Sequence, residues 1–154
     1  MGPPFYTAQD FEPKFFTGGP TRFYLPFLFD IVVQEKPTLI VTLGLGDAQA
    51  HLAFCQAVAG CNLSSRCIAI RRSRANESAN DDSAWELAEK ATAKFFPTVS
   101  QLIETDAVKA AADFADGSIG VLLIDDVDSG ETVREELKSW RPKLSADALI
   151  LLHG

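Results

Sequence analysis

Asp125, Asp126 and Asp128 place three carboxylates within four residues directly after an apolar run, and His153 follows a second apolar run. Carboxylate oxygens crowded in this way suit Mg2+ or Ca2+, and one of them can also take a proton as a general base. An imidazole beside them can serve as base or ligand near neutral pH. The plainer alternatives are that Asp126 and Asp128 are solvated, that Asp128 or Ser129 caps the following helix, and that His153 is structural. Gly44 and Gly46 form a second group, where a glycine turn can bring backbone N–H groups close to a ligand at a helix N-terminus. Arg71, Arg72 and Arg74 form a third. Nucleotide-binding sheets usually end that strand in an acid that takes ribose hydroxyls, whereas arginines favour a phosphate. A solvated loop paired with Asp81 and Asp82 is the other possibility.

The elements that must position these groups can be read from periodicity. Leu39 to Leu43, Cys67 to Ile70, Val99 to Ile103, Ile119 to Ile124 and Ala148 to Leu152 are short apolar runs separated by helical patterns. Such runs predict parallel strands buried on both faces. Thr21 to Lys36 predicts an amphipathic helix showing Phe23, Phe27 and Ile31, with Pro26 near its start. Asp47 to Ala59 predicts a helix that turns Ala48, Leu52, Cys55 and Ala59 to the sheet and is closed by Gly60, with His51 on its surface or in its packing. Further helices are expected from about Asp81 to Phe95, from Ala107 to Phe114, and from Ser129 to Trp140 with Val133, Leu137 and Trp140 on one face. Right-handed crossovers then give a Rossmann-like α/β fold, doubly wound and mostly parallel, in the order 3-2-1-4-5. Ligands in such a sheet bind beyond the strand ends, here Gly44 to Asp47, Arg71 to Arg74, Glu104 to Asp106, Asp125 to Asp128 and His153.

Residues 1–36 read as an arm and helix before a domain at residues 37–154. Nine of the 13 Phe and Tyr residues lie between Phe5 and Phe29, so the arm, rich in Pro and Gly, is expected to pack on the domain or serve as a lid or partner surface. A net charge of −7 and a pI near 4.7 argue against general affinity for nucleic acid or an anionic membrane. Cys55, Cys61 and Cys67 have neither the number nor the spacing of a zinc or redox motif and are expected to be reduced and partly buried. No run reaches the roughly 18 apolar residues of a membrane helix, and the start resembles no secretory leader, so a soluble cytoplasmic protein is expected.

Val41-Thr-Leu-Gly-Leu-Gly-Asp-Ala48, Leu123-Ile-Asp-Asp126 and Leu151-Leu-His153, with the intervening apolar pattern, resemble the class I S-adenosylmethionine-dependent methyltransferases, in the branch found beside bacterial glycosyltransferase domains. The resemblance spans about residues 37–154. It implies an S-adenosylmethionine cofactor held by Gly44, Leu45, Gly46 and Asp47, with Arg71 at the ribose and Thr105 and Asp106 near the adenine. It also implies O-methyl transfer in sugar or glycan metabolism, with Asp125 as base or metal ligand beside His153, and Mg2+ among Asp125, Asp126 and Asp128. Thr42 stands where the family has Glu, Ala48 where it has a further glycine, and Arg71 where it has the ribose acid. The family continues past a fifth strand, so we expect a fragment of a longer protein or a reduced domain that relies on a partner. Expected partners are a small-molecule or glycan substrate, a second copy, or an attached glycosyltransferase domain. The alternatives are a non-catalytic domain for assembly and a domain binding a nucleotide or nucleotide sugar through its arginines.

Overall fold

Strands β1 (Leu39–Leu43) and β4 (Ile119–Ile124) are rich in branched apolar residues, β2 (Arg66–Arg72) centres on Cys-Ile-Ala-Ile, and almost every side chain of the three is buried, so they occupy the middle of a sheet covered on both faces. β3 (Ser100–Thr105) and β5 (Leu144–Leu152) flank them at the edges. All neighbours run parallel, in the order β3-β2-β1-β4-β5. The computed structural model describes residues 25–72, 79–125 and 129–153. The aromatic arm at residues 1–24 therefore lies outside the described residues, as do Arg74, Asp126 and Asp128.

Helices α1 (Leu25–Glu35), α2 (Gln49–Gly60) and α3 (Ala79–Phe95) cover one face, and α4 (Ala107–Ala110) and α5 (Gly130–Trp140) the other. Two apolar layers result. Ile40, Ala69, Val121 and Leu123 meet α1 to α3, while Val41, Leu43, Ile70, Leu122 and Ile124 meet α4, α5 and Trp140. The Trp140 indole N–H donates to the Ala107 carbonyl at 2.7 Å, tying α5 to α4.

Several expectations require correction. β2 runs on through Arg71 and Arg72, which are buried strand residues and not a loop cluster. Helix α2 buries nearly its whole circumference, because α1 packs against it as the sheet does; Ala59, expected against the sheet, is exposed. The chain leaves α2 through Asn62, which adopts φ 53, so Gly60 is not the residue that turns it. On α1 the buried side chains are Leu25, Leu28, Phe29, Ile31 and Val32, and Phe27 points outward. Helix α4 makes one α-turn and tightens into a 3-10 turn at Ala111–Asp113. β5 starts at Leu144, with an irregularity in its pairing to β4 between Ile119 and Val121.

No helix among the described residues is long and apolar enough to cross a membrane.

Candidate functional site at the strand ends

β1 ends in Leu43, and the next residues cannot continue the strand. Gly44 and Gly46 adopt φ of 83 and 57, a region that glycine enters at no steric cost. Ala48 takes φ 69 as the residue before α2, at the position where a third glycine was expected. A methyl group there costs on the order of 1 kcal/mol, so this turn carries strain that glycine would relieve. Asp47 stabilises the turn: its carboxylate accepts from the Gln49 backbone N–H at 3.1 Å and from the Gln49 side-chain amide at 2.6 Å. Leu45 is buried beneath it.

Against the turn stand two groups from neighbouring strands. A Cβ on Gly46 would lie 2.9 Å from Asp125 Oδ2, and one on Gly44 would overlap the Arg72 guanidinium. Both glycines are thus required by close approach as well as by backbone angle. Asp125 continues β4; its backbone N–H donates to the Leu43 carbonyl at 2.8 Å, and its side chain is 4% exposed. His153 continues β5, donates its backbone N–H to the Ile124 carbonyl at 2.9 Å, and sets Nδ1 2.7 Å from Asp125 Oδ1. An ionised carboxylate only accepts, so the Nδ1 proton points to Asp125 and Nε2 is the basic nitrogen. The imidazole is 29% exposed.

The two arginines diverge because successive strand residues face opposite sides. Arg72 enters the layer beneath α5, where Nε and Nη2 meet the two oxygens of the buried Glu136 at 2.5 and 2.8 Å, while Nη1 donates to the Asp125 carbonyl at 2.8 Å. This forked pair is the floor under Asp125. Arg71 faces α3: its guanidinium pairs with Asp82 at 2.5 Å and with Glu104 at 3.4 Å, and lies 5.4 Å from the centre of the Trp85 ring. Neither arginine therefore presents an unspent positive charge to a phosphate.

Of the remaining expected residues, Thr105 is the last residue of β3, next to the rim. Asp106 caps α4, with Oδ1 accepting from the Val108 and Lys109 N–H groups at 2.9 and 3.0 Å. Ser129 caps α5 through the Thr132 N–H. Among the described residues no group of three His, Cys, Asp or Glu side chains is arranged to hold a metal ion. Glu136 was not anticipated. The available signal was an acid three residues after Val133 and four before Trp140, on the face otherwise predicted to be apolar.

The family model described as a methyltransferase domain matches residues 43–154, from the glycine turn to the end of β5. The chain belongs to this methyltransferase domain family. An uncharacterized protein, y4gI of Sinorhizobium fredii, is 28% identical over 130 residues, covering 83% of this chain and 14% of its own length. The chain thus spans only a small part of that relative. A Staphylococcus aureus structure assigned as a caffeoyl-CoA O-methyltransferase superposes with TM-score 0.66 at 14% identity, over 85% of this chain and 56% of the other. The Podospora anserina methyltransferase PaMTH1, solved with S-adenosylhomocysteine, gives 0.62 at 17% identity, over 85% and 52%. At these identities the likeness is one of fold, and the methyltransferase-domain chain spans about half the length of each.

A second polar cluster lies away from the rim. His51 is buried under α2, its Nε2 2.8 Å from Ser100 Oγ and 3.5 Å from Cys55 Sγ, and Ser100 meets Thr92 at 2.9 Å. Burial pushes the Cys55 thiol up, but hydrogen bonding with Cys67, the charge interaction with His51, and hydrogen bonds with His51 and Ser100 outweigh it and bring the group down to about 5. Cys67 is held well above the ordinary thiol value by its bond to Cys55 and by burial. All three cysteines are free thiols.

Proposed function

We propose that this chain is the cofactor-binding part of an S-adenosylmethionine-dependent methyltransferase that methylates a hydroxyl of a small molecule, in the context of sugar or glycan metabolism. The observation that carries the reading is the Asp125–His153 pair standing against the glycine turn, with one member buried and the other reaching solvent.

The chemistry of the rim suits this cofactor. It offers carboxylates to a cationic sulfonium and to hydroxyls, and close-packed glycine backbone, while Arg71 and Arg72 are already paired with acids. Gly44, Leu45, Gly46 and Asp47 would hold the cofactor at the turn, with Thr105 and Asp106 toward its adenine. S-adenosylmethionine supplies an electrophilic methyl group when bound. An alcohol is a poor nucleophile until its proton is removed. Nε2 of His153 would take that proton, and the buried Asp125 carboxylate would orient the ring and stabilise the imidazolium. Arg72 and Glu136 would keep Asp125 at its height above the turn. The acids already paired with Arg71 and Arg72 do not favour the nucleotide-sugar alternative.

Calorimetry with S-adenosylhomocysteine tests the binding half: saturable binding is expected, and no heat at millimolar ligand would sink the reading. For the catalytic half, His153→Ala should bind S-adenosylhomocysteine as the parent does yet transfer methyl groups to sugar hydroxyls about a hundredfold more slowly. A Mg2+ role for Asp125 with Asp126 and Asp128 predicts loss of transfer on chelation, whereas the histidine route predicts none.

A further inference from the structure

Where β2 ends, the chain has a base in place of the acid expected to receive ribose hydroxyls, and that base is already engaged. Arg71 is a buried strand residue whose guanidinium stacks over Trp85 and meets two carboxylates that are both open to solvent, Asp82 at 68% and Glu104 at 49% exposed. Among the described residues, its one guanidinium is shared by these two carboxylates. A phosphate would have to displace Asp82 and then lie beside Glu104, so the arrangement selects against the anion that an arginine at this position would otherwise attract. Hydroxyl groups meet no such penalty, because each carboxylate has acceptor capacity beyond its bond to the guanidinium.

We infer that the Asp82 carboxylate, pinned by Arg71, replaces the missing strand-end acid and accepts the ribose hydroxyls of the adenosyl cofactor; the inference rests on the function proposed above. The distances choose between the two acids. Asp82 is held at 2.5 Å and Glu104 at 3.4 Å, and the shorter side chain, in the first turn of α3, has fewer rotors to order. Glu104 lies directly across from Arg71 in the β2–β3 register and helps hold the guanidinium upright. Arg71 is then a positioning residue: the acid has moved from the strand to the helix, and the strand supplies its anchor.

The test is calorimetric, with S-adenosylhomocysteine and its 2′,3′-dideoxy analogue as probes on the full chain and on Asp82→Asn, Asp82→Glu and Glu104→Gln. A charged acceptor for a hydroxyl corresponds to about a tenfold preference for the hydroxylated ligand. The parent should show that preference, Asp82→Asn should lose it by weakening only the hydroxylated ligand, Asp82→Glu should recover part of it, and Glu104→Gln should keep it. A parent that binds S-adenosylhomocysteine with an undiminished preference in Asp82→Asn overturns the inference alone. A parent that binds neither probe overturns the proposed function as well. Tighter binding of adenosine 3′,5′-bisphosphate than of adenosine, lost in Arg71→Ala, would show that Arg71 serves a phosphate and would also overturn it.

Discussion

His153 and His51 each meet a side-chain oxygen, at 2.7 and 2.8 Å, yet they stand in opposite surroundings. His153 lies beyond the strand ends with nearly a third of its side chain in solvent; His51 is 1% exposed and is packed among Ser100, Cys55 and the body of α2. The first network is partly open to solvent beside the glycine turn. The second is closed: its thiol and hydroxyls gather around His51 Nε2, while His51 Nδ1 is buried without a hydrogen-bond partner. The comparison teaches that a polar cluster in this sheet becomes a candidate for chemistry through access, whereas burial alone converts the same residue types into structure.

The strongest way to break that division is Glu136→Ala, since it removes a buried support from the exposed site. Arg72 would lose its buried carboxylate partner, and unfolding in urea should show a loss of about 3–5 kcal/mol. A loss below about 1 kcal/mol would mean that the rim is not held from beneath. Next comes His51→Ala, which should cost about 2–4 kcal/mol through lost packing and orphaned partners. It should leave the methyl-transfer rate of the folded chain unchanged, whereas His153→Ala should slow it about a hundredfold.

The thiol pair sharpens the contrast through pH. Between about 5 and 9.0 the folded chain holds fewer protons on Cys55 than the unfolded chain does, so its contribution to stability rises with pH across that window and disappears as pH falls through 5. Above 9.0 the sign reverses, because folded Cys67 keeps a proton that the unfolded chain releases. Urea midpoints across pH should follow this course in the parent, and Cys55→Ser should flatten it. The smallest effect is expected from Ala48→Gly, which relieves the left-handed alanine and should stabilise the fold by up to about 1 kcal/mol, read as a raised melting temperature.

Much of the scaffold was legible because the central strands carry their own signature. Ile119 to Ile124 has the observed limits of β4, and the crossover rule supplied the strand order. Ser129 as a helix cap was legible for the same local reason. What escaped the sequence depended on tertiary partners. Arg71 and Arg72 look like a loop because nothing local shows that acids from α3 and α5 allow a strand to carry two guanidiniums into its buried end. Helix α2 looks one-sided because its own periodicity cannot show that α1 packs on it as well as the sheet. At the site, Asp125 and His153 were legible as residue types at strand ends, while their direct contact required the register between β4 and β5.

That register, and the one between β1 and β4, has a consequence for how the molecule assembles. Ile40 pairs with Val121, so the centre of the sheet cannot close until a long stretch of chain has already been gathered in. Neighbouring β2 and β3 face a much shorter closure. Folding should accordingly be slow for a chain of this size, with the β2–β3 half organised early and the Asp125–His153 corner completed only when β4 and β5 join. A ligand at that corner would then slow unfolding while leaving the refolding rate unchanged, because its site does not exist until the last strands are in place.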